Sequence, residues 1–362
     1  MTTTDILRAR LINQQIAGTT FNKPQEIVAW LGAMQSQEFA MAKWAIGLRL
    51  PGIADADVEK AFNDGAILRT HLLRPTWHFV TPHDIRWMLM LTAPRVHAVN
   101  SYWYRKFELD NAIFKRSKEI IIKSLEGKKQ LTRNLIKENL AKAKIFADGP
   151  RLSYLMMHAE LEGIICSGAR KGKQFTYALL EERVPATIKS DYETALAELT
   201  IRYITSRGPA TAHDFAWWSG LTIKQVNDGL AMVKSRLINE IIDGFQFWFT
   251  PGILINKKFA LPITKLQGTF LLPDYDEYGI SYKNRSALSS GKIINKENQV
   301  ANSTYNHWVV IDGRIEGNWH RKIKNNKLDV DTSFYSPLNK TKQKEVSTAI
   351  KRYKLFVENE KG

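Results

Sequence analysis

Between Pro24 and Met34 the apolar residues Ile27, Trp30, Leu31 and Met34 recur at i, i+3, i+4 and i+7, the spacing of a helix with one buried face. That spacing predicts a helix ending where Gln35-Ser36-Gln37 begins. A first helix is expected from Thr3 or Thr4, whose hydroxyl can cap it, to about Ile16. Met41 to Leu48 and Asp55 to Asn63 read as two more helices, broken at Pro51-Gly52 and Asp64-Gly65. From Ile67 to Val80 the pattern changes to alternation, with Arg69, His71, Arg74, Thr76 and His78 interleaved among β-prone residues. This predicts a hairpin with a polar, partly basic face, Trp77 and Phe79 pointing inward.

The same order then returns twice. After a helix opened by Thr81-Pro82-His83-Asp84, segments 118–125, 132–141 and 151–162 have helical spacing. They lead into strands 164–167 and 174–179, whose turn carries Arg170, Lys171 and Lys173. A third block has helices over 192–206, 211–218 and 223–235, then strands 237–242 and 245–250 turning at Asp243-Gly244. Helices followed by a basic hairpin are the order of a winged helix. The expected fold class is therefore α+β and mostly helical: three tandem winged-helix modules, residues 1–110, 111–188 and 189–251. Beyond Pro251, residues 252–362 read as a β-rich region, with a hairpin turning at Asp312-Gly313, and a closing helix over 340–358.

Composition narrows the function. A chain of 362 residues with 52 Lys and Arg against 36 Asp and Glu carries a formal charge of +16, which favours a polyanionic partner. The single cysteine, Cys166, lies in an apolar strand pattern and excludes an intrachain disulfide or a cysteine-rich zinc site. No stretch of about 18 apolar residues is present, and the N-terminus lacks the pattern of a signal peptide. A soluble, cytoplasmic protein is the expectation.

Few groups offer chemistry. Gln35 and Gln37 can converge on one space and hold a water, or can be solvated amides at a helix end. Asp274, Asp276 and Glu277 suggest either a carboxylate site or an acidic loop tied to Arg285. The histidines at 71, 78 and 83 lack metal-ligand spacing, and no glycine-rich phosphate loop is present. No cofactor and no metal are expected. Candidate DNA contacts are Arg69, Arg74, Thr76 and His78 on the first hairpin, Arg170, Lys171 and Lys173 on the second, and Arg321 at the end of the C-terminal hairpin.

Several stretches together resemble one family, the winged-helix crosslink-repair and alkylpurine DNA glycosylases of the AlkZ-like or YcaQ-like kind. They are Leu31 to Gln37, Arg74-Pro75-Thr76-Trp77-His78-Phe79-Val80, Gly208 to Gly220, Leu271-Leu272-Pro273 with Asp276-Glu277-Tyr278, and Gly313 to Trp319. The family's catalytic motif is Gln, an aliphatic residue, then Gln or Asp. Gln35 and Gln37 match its polar positions, and Ser36 departs from the aliphatic one. The resemblance implies modules arranged around a DNA channel. It also implies hydrolysis of the glycosidic bond of N7-alkylated purines, possible unhooking of crosslinks, duplex DNA as partner, a monomer, and no cofactor. A non-enzymatic winged-helix regulator, or an RNA-binding accessory protein, are the alternatives that charge and fold order leave open.

Overall fold

The structure, a computed structural model, describes residues 1–185, 190–251, 268–288, 307–324 and 327–359. Helix α1 (Thr3–Asn13) is capped by Thr2, whose hydroxyl accepts from the Asp5 N–H. Helix α2 (Pro24–Leu31) begins on proline, which has no N–H to strand there, and stops at Gly32, which takes φ +72°. The predicted continuation to Met34 is therefore corrected: Met34–Gln35 is a strand, β1. Helices α3 (Phe39–Arg49) and α4 (Asp55–Asn63) follow, then the hairpin β2 (Leu68–Leu72) and β3 (Thr76–Val80). β1 adds to the other edge of β3, with Gln35 opposite His78, giving the antiparallel order β1-β3-β2.

Helix α5 (Ile85–Lys106) leads to a second block of α6 (Asn111–Leu125), β4 (Leu131–Thr132), α7 (Arg133–Lys142) and α8 (Gly149–Leu161), closed by β5 (Ile165–Ser167) and β6 (Thr176–Leu179). After a short α9 (Leu180–Arg183) comes a third block: α10 (Tyr192–Arg207), α11 (Ala212–Ser219), α12 (Ile223–Met232), and the hairpin β7 (Ile238–Ile242) and β8 (Phe245–Phe249). Beyond it lie β9 (Thr269–Leu272), α13 (Glu277–Ile280), β10 (Trp308–Ile311), β11 (Arg314–Lys324), β12 (Lys327–Phe334) and α14 (Lys340–Glu358). The last four strands form one antiparallel sheet in the order β12-β11-β10-β9. The start of the expected β-rich region, 252–267, lies outside the described residues. The fold is thus α+β, with small antiparallel sheets joined by helices.

The cores interlock. Leu31, Trp44, Phe62 and Phe79 of the first block share one apolar cluster with Leu271, Val309, Trp319, Tyr353 and Phe356 from the C-terminal sheet and α14. Trp44 joins the two, its indole N–H donating to the Leu271 carbonyl at 2.8 Å. Leu72, Met88 and Leu89 of β2 and α5 pack instead with Leu199, Tyr203, Trp218 and Trp248 of the third block. Phe114, Ile121, Leu140, Leu155 and Tyr177 form the second block's own core. Because β3 is a middle strand with packing on both faces, His78 and Phe79 are both fully buried, while Trp77 is only half-buried. The expected division of β3 into a polar outer face and an apolar inner one is corrected accordingly.

Candidate active site

Side chains alternate along extended backbone, so Gln35 and Gln37 leave the β1 segment on the side opposite Ser36. Burial agrees: Gln35 is half-buried, Ser36 fully buried and Gln37 exposed. The Ser36 N–H continues the sheet beyond β1 by donating to the Trp77 carbonyl at 2.8 Å. Gln35 is held at two points. Its backbone N–H donates to Glu277 Oε1 at 2.8 Å, and its side-chain Oε1 accepts from Arg74 Nη2 at 2.9 Å. With one of that carbonyl's two lone pairs engaged, the Gln35 amide keeps its second lone pair and its N–H groups for a ligand.

The supports come from distant parts of the chain. Arg74 also donates to the carbonyls of Trp217 and Trp218 at the end of α11. Burial brings its guanidinium down to about 10. Arg207, at the end of α10, donates to the Leu31 and Ala33 carbonyls at 2.7 and 2.9 Å, which fixes the turn into β1. Its charge is met by Glu277 Oε2 at 2.7 Å, and that carboxylate also accepts from Trp218 Nε1 and Ser281 Oγ. Burial pushes the Glu277 carboxyl up, but Arg207 and these donors outweigh it and hold the group at about 2. Asp276 makes a separate two-pronged pair with buried Arg49 at 2.8 and 3.0 Å. The expected tie of this acidic stretch to Arg285 is therefore corrected: Arg49 and Arg207 take the two carboxylates, and Arg285 donates to the Gly279 carbonyl.

A second group of charges borders the residue after Gln37. Glu38 lies 3.9 Å from Arg321 Nη2, and Asp274 lies 3.4 Å from His307 Nε2. Burial, then the Glu38 charge, raise the Asp274 carboxyl to about 6 against the pull of Arg321. Burial, with Arg321 and His320 nearby, lowers His307 to about 4.

The predicted DNA contacts divide by exposure. Arg69 is buried, stacked over Trp77 and Phe175, and donates through Nε to the Ser36 carbonyl at 3.0 Å. His78 is buried and lowered to about 3 by burial and by Arg74, so it is a neutral ring bonded to the Thr76 carbonyl. Arg69 and His78 thus face the interior, Arg74 is bonded to Gln35, and Thr76 is half-buried on the same strand as His78. Arg170 is paired with Glu59 at 3.2 Å and sits over Phe39 and Phe175. Lys171 and Lys173 are exposed. Arg321 is half-buried, its Nη1 3.3 Å from the Tyr353 hydroxyl. Cys166 is buried in β5, its thiol pushed up to about 12 by burial.

Arg207 and the supporting role of Glu277 escaped the sequence reading, because the two lie 70 residues apart and Gln35 lies 242 residues from Glu277. A second omission concerns histidines. Among the described residues His97, His158 and Glu162 bring one ligand atom each to within 4.8 Å of one another, a convergence that inspection of His71, His78 and His83 did not reveal.

A family model described as DNA glycosylase AlkZ-like matches residues 28–356. The chain belongs to this family. The matched span takes in Gln35, Gln37, Arg74, Arg207, Trp218 and Glu277. A curated relative of the AlkZ-like chain, an interstrand DNA cross-link repair glycosylase from Streptomyces sahachiroi, is 21% identical over 323 residues, which cover 86% of this chain and 85% of the relative. The solved structure of Streptomyces sahachiroi DNA glycosylase AlkZ superposes with a TM-score of 0.79 at 18% identity, covering 97% of this chain and 95% of that one. At that identity the likeness establishes the fold.

Proposed function

We propose that this AlkZ-like glycosylase hydrolyses the N-glycosidic bond of N7-alkylated purines in duplex DNA, acts on interstrand crosslinks, and uses Gln35 and Gln37 to position the attacking water. The observation that carries this reading is Gln35, gripped by Glu277 and Arg74, beside exposed Gln37. An amide fixed at two points beside a second, exposed amide is suited to orienting a small polar molecule.

A guanine alkylated at N7 is already a cation, so it can leave without a general acid. As the C1′–N9 bond breaks, its electron pair neutralises the departing base and an oxocarbenium-like centre develops at C1′. In this mechanism Gln35 donates an amide N–H to one lone pair of the water, and Gln37 Oε1 accepts one of its protons. The other lone pair forms the new C1′–O bond, and the proton passes to solvent. The three helix-and-hairpin blocks serve as winged-helix modules lining a DNA channel, the exposed Lys171 and Lys173 meeting phosphates. The protein works as a monomer in the cytoplasm; no described helix is long and apolar enough to cross a membrane.

The experiment is single-turnover excision from a duplex containing N7-methylguanine, with abasic sites revealed by alkali. Gln35→Ala and Gln37→Ala should each slow excision about 10-fold to 1000-fold, while affinity for the same duplex stays nearly constant. The double variant should lose less than the product of the single losses, because the two amides hold one water. Gln37→Asp should retain part of the activity, and Gln37→Leu little. Excision at the native rate by both alanine variants would return the pair to solvated amides and put the active site elsewhere.

A further inference from the structure

His158 in the last turn of helix α8 and Glu162, the residue that caps it, stand one turn apart, and helix α5 brings His97 against them from the other side of the joint between the first and second blocks. We propose that His97, His158 and Glu162 form a site for a divalent transition ion of the zinc class, clipping α5 to α8. Two imidazoles and one carboxylate are a donor set that holds zinc with a fourth position left to water.

The geometry is close to what such an ion requires. Ligand atoms around a tetrahedral ion with bonds of about 2.0 to 2.1 Å lie roughly 3.3 Å apart. His97 Nε2 and Glu162 Oε1 are already 3.1 Å apart, and all three ligand atoms fall within 4.8 Å of one another. A side-chain adjustment of about 1.5 Å by His158 or Glu162 closes the set.

The ring orientations also favour a ligand role. His97 Nδ1 lies 2.8 Å from the Tyr104 hydroxyl, so the ring is fixed through that nitrogen and Nε2 is turned toward the other two residues. Nε2 is sealed from solvent and its approach to Glu162 is not aligned as a hydrogen bond, so the atom has an unused lone pair or proton in the interior. His158 is held by stacking on Phe114, ring centroids 3.7 Å apart and planes within 12°. Lys118 and, along the adjoining cavity, Arg86 act against a cation there, and Glu162 acts for it. An entry path exists: a cavity of about 380 Å³ beside Ala93, Pro94 and Gly163 reaches His97 and Glu162.

The site differs from the Gln35 and Gln37 site and does not depend on its chemistry. The ion would fix the angle of α5 to α8, and α8 is tied to the first hairpin by the buried pair of Glu160, between His158 and Glu162 in sequence, with His71.

The test is calorimetric titration of the metal-free full-length chain with Zn²⁺, paired with Co²⁺ absorption to read coordination. One equivalent should bind with micromolar affinity or tighter, and Co²⁺ should give the intense visible bands of a four- or five-coordinate ion. His158→Gln and Glu162→Gln should each weaken uptake about 10-fold to 100-fold. Circular dichroism should show both variants folded, as expected for side chains that are only half-buried or exposed. Zn²⁺ should raise the melting temperature of the native chain and leave that of His158→Gln nearly unmoved. No saturable uptake, or equal uptake by native chain and variants, would overturn the proposal.

Discussion

Glu277 accepts from the Gln35 N–H, Arg207, Trp218 and Ser281, and its charge is what allows a fully buried arginine to hold the turn into β1. Glu277→Gln should therefore cost about 3 to 5 kcal/mol, the range for removing one partner of a buried ion pair, and should reduce excision because Gln35 loses its anchor. Denaturant unfolding reads the first effect; a variant as stable as the native chain would contradict it. Ser36 gives a prediction of opposite sign. Its hydroxyl is buried with no hydrogen-bond partner, at the position where the family's motif is aliphatic. Ser36→Ala should be stabilising by about 1 kcal/mol, since it removes an unsatisfied polar group, and excision should be unaffected. A loss of stability would mean that the hydroxyl has a partner. At this scale the shared side of Gln35 and Gln37 depends on the backbone being extended from Met34, a condition that residue spacing alone left open. Arg207 and Glu277 were not legible, because an ion pair between residues 70 apart leaves no local pattern.

At the level of elements, periodicity read well wherever one face was buried and failed where burial came from elsewhere. Met34 completes an i, i+7 pattern with Ile27, yet it is buried by pairing with β3, opposite Phe79. The helix ends earlier because Gly32 takes the left-handed conformation that a side chain resists. The hairpin 67–80 was found, but its faces were misjudged: alternation assumes one wet side, and here the third block covers the side bearing His78 and Arg74. The long β11 and β12 pair offers a test of register. A Cβ at Gly317 would lie 2.1 Å from the Ser333 carbonyl oxygen on the neighbouring strand. Gly317→Ala should thus spread the two strands and destabilise the C-terminal sheet by about 1 to 3 kcal/mol. Since that sheet shares its core with Trp44 and Phe79, the loss should appear in global unfolding, not as local fraying. Hydrogen exchange that quickens only within β11 and β12 would show the cores to be less coupled than their packing implies.

Across the whole molecule, the response to acid follows from which groups stay unprotonated inside. Folded His78 is held near 3, and His158 and His307 near 4, whereas the same residues in an unfolded chain titrate near about 6.5. Between about pH 7 and about pH 4.5 the unfolded chain thus takes up protons at three rings that the folded chain leaves neutral, so stability falls as pH falls. Asp274 works in the opposite direction. Its folded value of about 6 lies above the 3.8 of a free aspartate, so the folded state takes up a proton first. Three rings outweigh one carboxyl, and the net slope remains a loss of stability with acid. Below about 4.5 the loss deepens, because folded Glu277 stays ionised down to about 2 and its contribution, complete above the free value of 4.5, is lost through that window. Melting temperatures recorded from neutral to mildly acidic buffer should therefore fall steadily. Asp274→Asn should separate the terms: it removes a carboxylate that burial and Glu38 make costly, so the variant should melt higher than the native chain at neutral pH. It also removes a carboxyl that binds its proton first in the folded state, so its fall with acid should be steeper. A melting temperature that stays level down to about pH 4.5, or an Asp274→Asn curve parallel to the native one, would show that these buried groups exchange protons with solvent more freely than their packing implies.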